Sequence, residues 1–144
     1  MKKHGRYAGL VLLVLLAMAF QSCDSAAGGS FGCTLVQANG WHGPFSLTTS
    51  NPISSDGYYY ESYCVDVSAG TTYELGLESW DYSGVGLSIF EGGYEDEVLW
   101  TYSEPEDWDD RTAERSGRMN FSVWISTSRL SSGSARYRFY IAPY

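Results

Sequence analysis

Carboxylates and indoles are the residues of this 144-residue chain best equipped for chemistry. Glu91, Glu95, Asp96, Glu97, Glu104, Glu106, Asp107, Asp109 and Asp110 lie between positions 91 and 110 with no base among them. Hard cations take six to eight oxygen ligands from carboxylates and carbonyls. Asp107, Asp109 and Asp110, with Glu104 and Glu106 close by, are therefore the candidate calcium ligands, although the EF-hand spacing and its distal Glu are absent. A solvated acidic loop that keeps the protein soluble is the alternative reading of the same residues. Most of this window is expected to be loop, with one short strand near 98–102 through its centre.

Aromatic residues are the second handle, at 16% of the chain. Trp80, Asp81 and Tyr82 are consecutive, Trp108 sits inside the acidic run, Trp41 precedes His42, and Trp124 falls on the nominally outward side of its segment. An exposed indole or phenol beside carboxylates suits a sugar, the ring stacking on a pyranose face while the acids accept hydroxyl hydrogen bonds. The same residues anchor protein interfaces, where Trp, Tyr and Arg are enriched. Packing is the plain alternative, because a small sandwich needs bulky groups in its core and at its sheet ends. Trp80, Asp81, Tyr82, Trp108 and Trp124 are the candidate ligand-binding set.

Catalytic signals are weak by comparison. His42 is the only histidine beyond the first few residues, and it stands in the turn-like Gly40-Trp41-His42-Gly43-Pro44. No Gly-x-Ser-x-Gly occurs between 33 and 144 to present a nucleophile. Paired acids can hydrolyse glycosides, but nothing singles out a pair among seventeen. The chain is read as a non-enzyme. Its formal charge of −8 argues against nucleic acid, which requires a basic footprint. Two His and three Cys are too few for a zinc finger, and no resident cofactor is expected.

The N-terminal segment reads as an export signal. Lys2, Lys3 and Arg6 precede an apolar run from Leu10 to Phe20, which is shorter than the roughly 20 residues that span a bilayer. Two cleavage readings follow. Ala17-Met18-Ala19 has the small-x-small form of an ordinary signal-peptidase site and would release a soluble secreted or periplasmic protein. Phe20-Gln21-Ser22-Cys23 resembles the lipobox of bacterial lipoproteins, in which the Cys becomes the lipidated first residue. On the second reading residues 1–22 are the signal peptide, Cys23 carries the lipid and residues 23–32 are a flexible tether. Asp24 leaves inner and outer membrane both open. Removing Lys2, Lys3 and Arg6 takes the charge from −8 to −11.

Cysteine count agrees with the anchor. An exported protein with three Cys carries an odd thiol, and lipid on Cys23 leaves Cys33 and Cys64 to pair in an oxidising compartment. A Cys33–Cys64 disulfide is expected, two buried thiols being the alternative.

Residues 33–144 must position these groups, and their periodicity is that of strands. Tyr73, Leu75 and Leu77 alternate with Thr72, Glu74, Gly76 and Glu78. Val85, Leu87 and Ile89 repeat the pattern, as do Phe121, Val123 and Ile125, and Tyr137, Phe139 and Ile141. Tyr58 to Val67 is a further Tyr- and Val-rich run, and 33–38 and 45–48 are weaker candidates. Seven or eight short antiparallel strands, each with one apolar face, bury those faces most economically as an all-β β-sandwich. On the face opposite its apolar set, the last strand carries Arg136, Arg138 and Tyr140.

Tyr63-Cys64-Val65-Asp66-Val67-Ser68-Ala69-Gly70-Thr71-Thr72-Tyr73-Glu74-Leu75 resembles the opening of bacterial pre-peptidase C-terminal (PPC) domains, where a valine-x-Ala-Gly turn joins two alternating strands. Gly84 to Phe90, Met119 to Ile125 and Tyr137 to Ile141 fall where that family has its later strands, so the resemblance spans about residues 56–142. It implies a jelly-roll-like sandwich with an accessory or binding role. Where family members read Gly-Asp-x-Asp-Leu, this chain has Ser83-Gly84-Val85-Gly86-Leu87, so a family calcium site does not carry over. The expectation is an exported, lipid-anchored binding module of the bacterial cell envelope. Its partner would be an envelope protein, or alternatively a glycan, or it would be a structural lipoprotein with no ligand.

Overall fold

Alternation of apolar and polar residues makes most of the strands two-sided, and the computed structural model closes their apolar sides into a sandwich. It describes residues 32–80, 84–91, 94–101, 104–130 and 133–144. The expected signal peptide and Cys23 lie outside the described residues. Nine strands occur among them: β1 Thr34–Val36, β2 Gly40–Thr48, β3 Tyr58–Val67, β4 Thr72–Ser79, β5 Val85–Glu91, β6 Tyr94–Trp100, β7 Glu106–Thr112, β8 Gly117–Ser126 and β9 Ser134–Pro143. They form a five-stranded sheet, β1-β3-β8-β5-β6, and a four-stranded sheet, β2-β9-β4-β7. All pairings are antiparallel except that of β1 with β3, which is parallel and departs from the expected antiparallel set. Without β1, the layers pair first strand with last and second with last but one, the jelly-roll arrangement.

The core lies between the inner faces. Leu75 and Leu77 of β4, Leu87 and Ile89 of β5, Phe121 and Val123 of β8, and Phe139 and Ile141 of β9 are all buried there. Two phenols also share this interior. Tyr63 and Tyr137 oxygens lie 2.6 Å apart, and the Tyr137 hydroxyl donates to Glu61 Oε2 at 2.8 Å. Burial drives both phenols above the ordinary tyrosine range; Glu61 raises both further, and for Tyr63 the hydrogen bond with Tyr137 acts in the opposite sense. Both therefore stay neutral, and each polar tip has a partner inside an apolar layer.

Cys33 and Cys64 form the expected disulfide, with a Cα–Cα distance of 5.6 Å. It fastens the entry of the domain to β3, and a crosslink of this span contributes about 3–4 kcal/mol in the chain-entropy account.

The acidic window is not the loop that its composition suggested. Seven of its nine acids lie in β6 and β7, the edge strands on the same side of the two sheets, while Glu91 ends β5 and Glu104 precedes β7. Arg111 of β7 pairs with Asp96 of β6, and Asp107 Oδ2 accepts the Trp100 backbone N–H at 2.8 Å, so polar contacts close that side. Like charge on both edges opposes pairing with further strands. Asp and Glu have low strand propensity, and that masked the period here. Likewise, Gly40 to Pro44 is strand rather than turn, carrying a register shift between His42 and Phe45.

Candidate functional site

Outer faces, not cavities, carry the exposed chemistry of this molecule. On the four-stranded sheet, register places Trp41 of β2 opposite Tyr140 of β9, Tyr140 opposite Gly76 of β4, and Gly76 opposite Trp108 of β7. Gly76 is the seat of this row. A Cβ there would lie 2.6 Å from Trp108 Cζ3 and 2.8 Å from Cε3, so the absence of a side chain lets the indole lie across the backbone. Trp108 then reaches Tyr140, with ring centroids 5.3 Å apart, and meets Trp41 edge-on at 5.4 Å; Trp41 and Tyr140 are 5.5 Å apart. Three rings thus span all four strands at interplanar angles of 59–78°. Such tilted and edge-on pairs are favoured by the ring quadrupoles.

The next row is charged. Arg138 of β9 faces Glu78 of β4, which faces Glu106 of β7. Arg138 Nε and one terminal nitrogen lie 2.6 and 2.5 Å from Glu78 Oε2. The guanidinium carbon is also 4.1 Å from the Trp41 ring centroid and 5.8 Å from that of Trp80. Each such cation–π contact at an exposed site is worth about 0.5–1 kcal/mol. Arg136, one row further along, has its guanidinium carbon 5.9 Å from the Trp80 ring centroid. Glu106 accepts the Trp108 indole N–H at 2.5 Å. These polar contacts hold the rings while leaving much of their surface open: Trp41 is 37% exposed, Trp80 40% and Trp108 41%.

Of the residues singled out in the sequence, Trp80 and Trp108 therefore share one face, together with Trp41, Tyr140, Arg136 and Arg138. Asp81 and Tyr82 lie outside the described residues. Trp124 does not belong to the site. It points outward from the five-stranded sheet as expected, but only 7% of it is exposed, and its indole N–H donates to Ser88 Oγ at 2.8 Å. Trp100 and Tyr58 cover it, each with centroids 4.8 Å away. Gly76 is the sequence signal for this site. A glycine at an outward position of an alternating strand marks a close approach, here by Trp108.

The proposed calcium ligands are divided by the strand they form. Register puts Asp107 and Asp109 on the inward-turned side of β7, opposite Leu77 and Leu75, and Glu106 and Asp110 on the outer side, opposite Glu78 and Glu74. Asp107 is already engaged by the backbone N–H groups of Trp100 and Trp108. Glu104 precedes the strand and is exposed. Among the described residues no three His, Cys, Asp or Glu side chains are grouped to hold a metal ion. His42 packs on Phe139 at 5.2 Å, and its Nε2 lies 2.7 Å from the Gln37 carbonyl oxygen, a fastening at the start of β2.

No family model matches the chain, and no curated protein sequence matches it. Its fold does have solved counterparts. The pre-peptidase C-terminal domain of a collagenase from Bacillus anthracis is similar at a TM-score of 0.54 and 12% identity, covering 76% of this chain and 93% of that one. PliG of Aeromonas hydrophila, a periplasmic inhibitor of g-type lysozyme, is similar at 0.53 and 13%, covering 78% and 97%. At such identities the likeness is one of fold: this chain has a PPC-like β-sandwich, as the strand-and-turn resemblance implied.

Proposed function

We propose that this protein is an exported, lipid-anchored, non-catalytic module of the bacterial cell envelope that binds a protein partner through the outer face of its four-stranded sheet. The observation that carries this reading is the platform of Trp41, Tyr140 and Trp108 with Trp80 and Arg138 at its border. Exposed Trp beside half-buried Tyr140 and Arg138 is the composition of interface anchors. The rings are held by one another and by Glu78 and Glu106, so little ordering entropy is left for binding to remove. Tilted rings on an open sheet suit an irregular protein surface better than a pyranose, which prefers parallel rings in a groove. The lysozyme-inhibitor neighbour supports the view that this sandwich can serve protein binding. A disulfide is consistent with an oxidising compartment outside the cytoplasm. Lipid at Cys23 would then hold the domain to a membrane through a tether of about ten residues.

A paired crosslinking experiment tests the reading. Envelope from cells carrying the native chain and from cells carrying Trp41→Ala/Trp108→Ala is crosslinked and the adducts compared. One protein adduct present in the first and lost in the second is the expected result. Identical adducts in both would sink the platform as the site. Glycan-array binding abolished by the same double variant would move the function to carbohydrate. Labelling with a radioactive fatty acid, abolished by Cys23→Ser, checks the anchor separately.

A further inference from the structure

The platform is not chemically uniform, and its β7 end differs from its β2 end. Toward β2 the rings meet Arg138, whose charge Glu78 offsets. Toward β7, Trp108 is flanked along its own strand by Glu106 and Asp110. The register sets Asp110 directly opposite Glu74 on the same face, and Glu74 has Ala142 on its other side. Carboxylates placed opposite one another across two strands repel, and no ion pair to Glu74 or Asp110 occurs among the described residues. In these three rows Glu74, Glu78, Glu106 and Asp110 stand against Arg138 alone. An exposed indole within such a ring of carboxylates presents its negative π face and acidic border to the same visitor.

Resting on the binding role proposed above, we propose that this end of the platform selects a basic protein, one of whose Arg or Lys side chains lies on the Trp108 ring between the Glu74–Asp110 pair and Glu106. Charge complementarity argues for that occupant. A cation relieves the Glu74–Asp110 repulsion, gains the indole face and meets a chain whose formal charge is −8. A second copy of this chain would bring the same acids to the same place, and a neutral glycan would leave the repulsion standing.

Indole N–H resonances of the 15N-labelled chain read this out directly, because Trp108 and Trp124 report on opposite faces. The probe is a short arginine-rich peptide, with a glutamate-rich peptide of equal length as control. The expected result is that the arginine peptide moves the Trp108 signal, leaves that of Trp124 in place, and loses affinity as salt is raised toward physiological strength. Glu74→Gln/Asp110→Asn should weaken binding about tenfold with the fold intact, while Asp56→Asn/Glu114→Gln, which removes the same number of charges at exposed acids outside the platform, should leave it unchanged. An unmoved Trp108 signal would overturn the proposal, as would equal losses in the two acid variants, which would mean attraction by overall charge. Should an envelope partner depend on Trp41 and Trp108 but be indifferent to salt and to Glu74→Gln/Asp110→Asn, the basic partner is refuted while the binding role stands. Independence from both sets of substitutions would refute the two together.

Discussion

Each sheet of this sandwich carries a tryptophan laid across a glycine on its outer face, yet one ring is buried and the other open. Trp124 covers Gly86, where a Cβ would lie 2.6 Å from its Cε2; Trp108 covers Gly76 in the same way. The difference is position in the sheet. β8, which bears Trp124, is central, so β3 supplies Tyr58 on one flank and β6 supplies Trp100 beyond β5 on the other. β7, which bears Trp108, is an edge strand with neighbours on one side only. The indole N–H groups follow suit, Trp124 donating to buried Ser88 and Trp108 to exposed Glu106. One local device is thus packing in the first place and an available surface in the second.

Removing each ring should separate the two cases most sharply. Trp124→Ala takes away a buried indole and is expected to cost about 3–5 kcal/mol, whereas Trp108→Ala should cost about 1 kcal/mol or less. For a domain of this size the first would lower the melting temperature by more than about 10 °C. Equal losses in thermal denaturation would abolish the distinction between core and surface.

Filling the seats should give a smaller contrast. Gly86→Ala drives a methyl into a ring that Tyr58, Trp100 and Ser88 hold in place, at a cost of about 1–3 kcal/mol. Gly76→Ala meets a ring with open solvent beside it, which can swing away for about 1 kcal/mol or less. The same change should uncouple the aromatic platform, so loss of the near-ultraviolet circular dichroism of coupled indoles, at nearly unchanged stability, is its expected signature. A Gly76→Ala protein as destabilised as Gly86→Ala would mean that Trp108 is as firmly packed as Trp124.

The hydrogen bonds provide the finest contrast. Ser88→Ala leaves the buried Trp124 N–H without its acceptor and should cost about 1–2 kcal/mol. Glu106→Ala exposes the Trp108 N–H to water and should alter stability by less than about 0.5 kcal/mol. Chemical denaturation midpoints resolve these values, and a larger loss for Glu106→Ala would reverse the assignment of the two faces.

The contrast also explains how far the sequence could be read. Tyr73, Leu75 and Leu77, or Tyr137, Phe139 and Ile141, declare their strands because each apolar residue is two steps from the next, and a strand's faces have that period. Arg138 and Tyr140 could be placed outward for the same reason. The edge strands β6 and β7 were harder to recognise. Charged residues occupy both of their sides, and the alternation that reveals a half-buried strand is missing there. Trp124 could be assigned a face but not an exposure, because its cover comes from Tyr58 and Trp100, which are distant in the chain.

By itself, then, the sequence determined the all-β class, the direction of most apolar faces, Cys33 and Cys64 as the expected pair and the concentration of acid between 91 and 110. All of these follow from local period, residue type or count. Tertiary structure decided which strands became edges, which outward indole was covered, and that Trp41, Trp108 and Tyr140 meet over Gly76. Those outcomes depend on strand order and register, which join residues as distant in the chain as Trp41 and Tyr140, 99 positions apart, and which no local pattern specifies.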